Sequence, residues 1–210
     1  MKRFWTVACV LILIAGLSGC SDTEHRKSCT TCPPPPPPSE KWHVLQNLEL
    51  AYNDMNIVEY RKIFDAENFI YFFYSGDVGG SVPVQWGYAE ETQSAANMFS
   101  RAGGIENNPI LAIDLTLVDL ETATWVEITD PEGFPGETWY ETTVVYDFTI
   151  ETANATNYIT AGDPACVFTV RKIDGVWKLV RWRDRSNLGF ARRSPGGVEV
   201  TTWSKLKALY

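Results

Sequence analysis

Apolar positions obey three different rules along this chain. Residues 4–17 are mostly apolar and uncharged, and residues 21–39 show no apolar periodicity. From residue 40 onward the spacing is first helical and then alternating. Trp42, Leu45, Leu48 and Tyr52 lie three or four apart and predict a first helix, with Ser39 placed to cap it. Asn56, followed three residues later by Glu59, marks a second helix start whose stripe is Ile57, Tyr60 and Phe64. Residues 69–74 are aromatic or branched without a break and read as a strand stopped by Ser75-Gly76-Asp77. A third helix is expected from near Glu90, carrying Ala95, Met98, Phe99 and Ala102 on one face.

After Pro109 the period becomes two. Leu111, Ile113, Leu115 and Leu117 alternate with Ala112, Asp114 and Thr116. Val144, Tyr146, Phe148 and Ile150 alternate with Thr143, Val145, Asp147 and Thr149. The clearest turn signal is Asp174-Gly175, set between the β-rich runs 167–173 and 176–184. A two-residue type I′ hairpin there pairs Ile173 with Val176, Arg171 with Lys178, Thr169 with Val180 and Val167 with Trp182. Trp203, Leu206 and Tyr210 then predict a short amphipathic helix that packs back on the domain. Helices followed by an antiparallel meander give one α+β domain over residues 40–210, with the N-terminal helices packed on a curved antiparallel sheet.

That helix order, the stretch Val84-Gln85-Trp86-Gly87 and the closing run Val176-Trp177-Lys178-Leu179-Val180-Arg181-Trp182-Arg183-Asp184 carry a resemblance over about residues 40–190. They resemble the nuclear-transport-factor-2-like superfamily, also called SnoaL-like. The resemblance implies a cone-like, cystatin-like layout in which a bent sheet wraps against helices around a pocket. In that frame Tyr60, Phe64, Trp86, Met98 and Trp182 are expected to line one cavity, with Asp184 at its polar edge. Catalytic members use a pocket carboxylate or His, often assisted by a Tyr hydroxyl. The chain offers Asp54, Asp114, Asp147 and Asp184 as carboxylates, and Tyr52, Tyr60, Tyr71 and Tyr146 as hydroxyls. None sits in a motif that fixes a role, so no catalytic residue is assigned. His43 reads as a solvated first-turn residue, and Arg183-Asp184 as a structural ion pair or loop cap. The chain has no nucleophile elbow, HExxH, phosphate loop or dinucleotide fingerprint, so neither cofactor nor metal is expected. Three readings stand: a non-catalytic domain binding a small apolar ligand or an envelope protein; a SnoaL-like isomerase, hydrolase or lyase; and a structural stalked envelope component.

The N-terminus places the domain. Lys2 and Arg3 precede the apolar run, whose roughly fourteen residues fall short of the roughly twenty that span a bilayer, so it reads as a secretory signal. Its end, Leu17-Ser18-Gly19-Cys20, resembles the bacterial lipobox. The resemblance implies cleavage after residue 19, a thioether-linked diacylglycerol on Cys20 and acylation of the new amino terminus. Two or three acyl chains anchor a protein stably without spanning. By the enterobacterial sorting rule, Ser21 after the lipidated Cys favours the outer membrane over the inner.

Residues 20–39 then form a tether with six consecutive prolines at 33–38, a polyproline II spacer of roughly 19 Å. The other reading of the prolines is a ligand for an aromatic groove on a partner. Cys29-Thr30-Thr31-Cys32 runs directly into them and reads as a small disulfide loop or two idle thiols, not a zinc or redox site. Cys166, within an apolar run, reads as a small buried hydrophobe. With 18 basic against 26 acidic residues the formal charge is −8, which disfavours nucleic acid and leaves membrane contact to the lipid.

Replacing Cys20 by Ala is expected to abolish incorporation of a fatty-acid analogue in metabolic labelling. Labelling that persists undiminished in the variant would refute the anchor.

Overall fold

Helix α1 (Lys41–Asn53) starts one residue later than the Ser39 cap implies. Glu40 takes the N-cap position, its backbone N–H donating to His43 Nδ1 at 3.3 Å, while the Ser39 hydroxyl lies 3.3 Å from the same nitrogen. Val44, Leu45, Leu48, Ala51 and Tyr52 are buried, and Trp42 is only half-buried. Helix α2 (Ile57–Lys62) is capped as expected: Asn56 Oδ1 accepts from the N–H groups of Val58 and Glu59 at 3.1 and 3.2 Å. This is a computed structural model that describes residues 35–80, 82–101, 109–153, 157–159, 165–185, 198–200 and 202–210. Cys20, Cys29, Cys32 and Ala102 lie outside them.

Strands β1 (Ile70–Phe72) and β2 (Gln85–Gly87) precede helix α3 (Tyr88–Phe99), which begins two residues before Glu90. Then come β3 (Ile110–Leu117), a 3₁₀ turn at Leu120–Thr122, β4 (Val126–Thr129), β5 (Thr138–Thr152), β6 (Asn157–Ile159), β7 (Ala165–Ile173), β8 (Val176–Asp184), β9 (Val198–Val200) and α4 (Trp203–Leu209). Among the described residues the strands join in the order β2-β1-β8-β7-β5-β6-β9, with β3 and β4 also paired to β5. Strand β5 organises the sheet. Its first half pairs with β4 and β7 and its second half with β3 and β6, so one twisted fifteen-residue strand carries the curvature.

The domain is therefore α+β, with helices packed on a curved sheet. The sheet is mixed: β1 runs parallel to β8, and β6 parallel to β9. About half of the chain lies between β1 and β8, so no hairpin forces them to be antiparallel. No helix among the described residues is long and apolar enough to cross a membrane.

The hairpin between β7 and β8 turns on Asp174 and Gly175, whose φ values of 50° and 84° are those of a type I′ turn. Ile173 faces Val176 and Arg171 faces Lys178 as the turn chemistry requires. Beyond that point a bulge between Thr169 and Val170 shifts the register. Thr169 faces Arg181, Phe168 faces Trp182 and Val167 faces Arg183, correcting the pairing of Thr169 with Val180 and of Val167 with Trp182. One extra residue reverses which side chains point inward. Trp182 thus joins Phe168 in the core. A second irregularity, between Ile110 and Ala112, turns Leu111 outward to 46% exposure while Ile110 takes the inward place.

On β5 the alternation holds, with Val144, Tyr146, Phe148 and Ile150 all inside. Cys166 is fully buried on β7, and Trp203 and Leu206 of α4 are fully buried against the sheet and helices.

Open space surrounds the missing Cβ of Gly175, so only its left-handed backbone resists substitution. Gly175→Ala is expected to cost about 1–2 kcal/mol, read as a lower urea midpoint at unchanged slope.

Candidate interior site around Glu91 and Lys207

Helix α3 presents Glu91 one turn before Ala95, on the same face as Met98 and Phe99. Helix α4 presents Lys207 one turn after Trp203. Each is 1% exposed, and they form an ion pair inside the domain. Glu91 Oε1 also accepts from the Tyr60 hydroxyl, and Oε2 accepts from Trp86 Nε1 at 2.8 Å. Behind Tyr60 the Tyr52 hydroxyl lies 3.4 Å away and accepts from Trp203 Nε1 at 3.3 Å. The Lys207 ammonium sits 3.6 Å from the Trp182 ring centroid and 4.0 Å from that of Tyr71. A carboxylate and two aromatic faces therefore replace its water.

Removing an ammonium from water costs several kcal/mol, while a desolvated cation–π contact returns about 2 and the carboxylate supplies the remainder. Burial still prevails: it pushes the Lys207 ammonium down to about 8, against the upward pull of Glu91. Burial likewise pushes the hydroxyls of Tyr52, Tyr60 and Tyr71 well above their ordinary value. Glu91 adds to the effect at Tyr52 and Tyr60, and Asp184 at Tyr71. The phenols accordingly remain donors.

A second polar cluster holds the start of α4. Asp184 Oδ2 accepts from the Ser204 backbone N–H at 2.8 Å and its hydroxyl at 2.7 Å. Ser204 Oγ in turn accepts from the Tyr74 backbone N–H at 2.9 Å. Thr202 caps α4 by accepting from Lys205 N–H at 3.0 Å and donates to Asp77, which also pairs with Lys205 at 3.2 Å. At the far end Ser94 Oγ donates to the Lys207 carbonyl at 2.9 Å.

The sequence candidates fall around this arrangement. Tyr60 and Trp86 meet at Glu91, and the Phe64 ring packs edge-on to Tyr60 at 4.9 Å. Trp182 lies under Lys207, Met98 belongs to the same core, and Asp184 grips Ser204. Trp203 and Lys207 of α4 stand among them, with Trp203 4.5 Å from Trp182. Tyr146 packs against Trp203 at 4.8 Å. Asp54, Asp114 and Asp147 are exposed, away from this interior. Sequence reasoning passed over Glu91 and Lys207, although both interrupt apolar helical stripes with a charge.

Chemically, Glu91 and Tyr60 form a buried carboxylate–phenol pair whose carboxylate is held by three donors. Lys207→Met leaves that carboxylate without its cation and is expected to cost about 3 kcal/mol near neutral pH, most of it recovered by adding Glu91→Gln. Between about pH 8 and 10 the unfolded chain holds the Lys207 proton and the folded chain does not. The Lys207 contribution to stability therefore rises with pH there, by at most about 1.4 kcal/mol per unit, and the Cys166 thiol, pushed up by burial, opposes it as the unfolded thiol ionises. Above that range unfolded tyrosines ionise and buried ones do not, so the slope reverses. Urea titrations at several pH values check this: between about pH 8 and 10 the slope of stability against pH should be more negative in Lys207→Met than in the wild type, Cys166 being common to both.

No family model matches the chain, and no curated protein matches it. Among solved structures, a candidate aromatic ring hydroxylase from Novosphingobium aromaticivorans is 12% identical over 69% of this chain and 85% of its own, with a TM-score of 0.48. A nuclear-transport-factor-2-like superfamily protein from Salmonella enterica serovar Typhimurium is 10% identical over 72% of this chain and 92% of its own, also at 0.48. A candidate dehydratase of that family from Streptomyces avermitilis is 10% identical over 67% of this chain and 88% of its own, at 0.45. These likenesses are of overall fold.

Proposed function

We propose that the chain is a lipid-anchored protein of the bacterial envelope whose domain is a non-catalytic binding module, engaging an envelope partner through its outer surface. The observation that carries this reading is the seating of Trp203 and Lys207 inside the domain, with the Lys207–Glu91 pair 1% exposed on both sides. A small molecule reaching Tyr60 or Trp182, both fully buried, must first displace an aromatic ring and an ammonium. That displacement strands Glu91 in an apolar interior, which is costly. The anchor part of the reading rests on residues 17–20, and the outer membrane is favoured by Ser21.

One observation favours a second reading. A buried carboxylate bonded to a phenol is the chemistry a SnoaL-like isomerase, hydrolase or lyase would use, and Glu91 with Tyr60 supplies it. In that reading α4 withdraws, Glu91 takes the proton and Tyr60 polarises the substrate oxygen.

An apolar fluorescent probe separates the two. The native protein is expected to leave the probe dark, and the paired substitution Trp203→Ala with Leu206→Ala to bind it in a cooperatively melting fold. Saturable binding by the native protein that quenches tryptophan and is lost in Trp182→Ala would favour the ligand or enzyme reading instead.

A further inference from the structure

The proline run does not leave the domain freely. Proline has no N–H, so a polyproline II segment offers a receptor only carbonyl oxygens and ring faces; its receptors supply donors above a flat apolar floor. Three donors here meet carbonyls of the run and of the serine that follows it. Asn47 Nδ2 donates to the Pro36 carbonyl at 3.0 Å, the Trp177 backbone N–H to Pro38 at 3.2 Å, and Trp177 Nε1 to Ser39 at 3.1 Å. Val44, Ile63 and the Trp177 ring line the same cleft as Pro35, Pro36, Pro37 and Pro38. Asn47 Oδ1 is buried and has no hydrogen-bond partner among the described residues, as befits an acceptor facing a segment without donors. The Trp177 ring is steadied by Tyr140, edge-on at 5.5 Å, and by the Lys172 ammonium at 5.5 Å. About 290 Å³ of the cleft remains open beside the prolines, towards Lys62 and Val176.

We propose that α1 and the β7–β8 hairpin form a polyproline-recognition groove, built on Asn47 and Trp177 and occupied in cis by this chain's own proline run. The groove lies outside the Glu91–Lys207 interior and does not depend on the function assigned to it. Covalent connection gives the resident prolines an effective concentration in the millimolar range. A free proline peptide therefore competes poorly until the resident run is removed.

The experiment titrates a hexaproline peptide into the full chain and into a full-length variant with residues 33–38 replaced by glycine and serine, followed by calorimetry and tryptophan fluorescence. Binding is expected in the replaced variant and at least tenfold more weakly in the wild type. A glycine–serine peptide of equal length should not bind. Within the replaced variant, Trp177→Ala should abolish binding and Asn47→Ala should weaken it severalfold. Cooperative melting certifies each fold, and Asn47→Ala carries the comparison if Trp177→Ala does not fold. No hexaproline binding to the replaced variant at millimolar peptide overturns the proposal. So does equal affinity in the wild type, or binding that survives Trp177→Ala or, where that variant does not fold, Asn47→Ala.

Discussion

An ammonium sealed among aromatic rings needs a counter-charge in reach, and nearly everything in the interior of this domain serves that need. Glu91 supplies the charge from α3; Trp182 and Tyr71 supply ring faces from β8 and β1; Tyr60 and Trp86 hold the carboxylate from α2 and β2. Five elements are thereby committed to one small volume before any apolar packing is counted. An apolar pair at the same two positions would fill the space as well. What the ionic pair adds is a single permitted seat for α4, because sliding it by one residue would leave both charges buried and alone.

Much of the fold was legible because local chemistry decided it. Asn56 capped α2, Asp174-Gly175 turned the hairpin, and β5 kept its alternation through Val144, Tyr146, Phe148 and Ile150. What escaped was decided by contacts distant in sequence or by a single inserted residue. The bulge at Thr169 and Val170 has no signature in a period-two pattern, yet it decides the face on which Trp182 lies. The parallel pairing of β1 with β8 joins strands with most of the domain between them. Tyr60, Phe64 and Met98 were legible from the apolar faces of their helices. Glu91 and Lys207 were not, because a charge on an apolar stripe reads as a stripe edge until its partner's position is known.

The domain fills its own hollows twice. Inside, α4 enters among the aromatic rings; outside, the proline run lies along Trp177 and Asn47. The two fillers differ physically. The inner one carries a charge and is enclosed by ion pair, ring faces and backbone bonds. The outer one is neutral, half-exposed and held by carbonyl acceptance beside an apolar floor. Only the second belongs to the kind of contact that exchanges without disturbing a core.

The bond from Trp203 to Tyr52 joins residues 151 positions apart, and the Lys207–Glu91 bond spans 116. Contacts of such separation close late, since the loop entropy must be overcome before they return anything. A chain still lacking α4 would hold, between its helices and sheet, a gap that is both aromatic and anionic. A product truncated before Trp203 would keep every strand of the sheet and still lack a dry interior. Proteolytic vigilance over this protein thus has a natural checkpoint: whether its last helix has arrived.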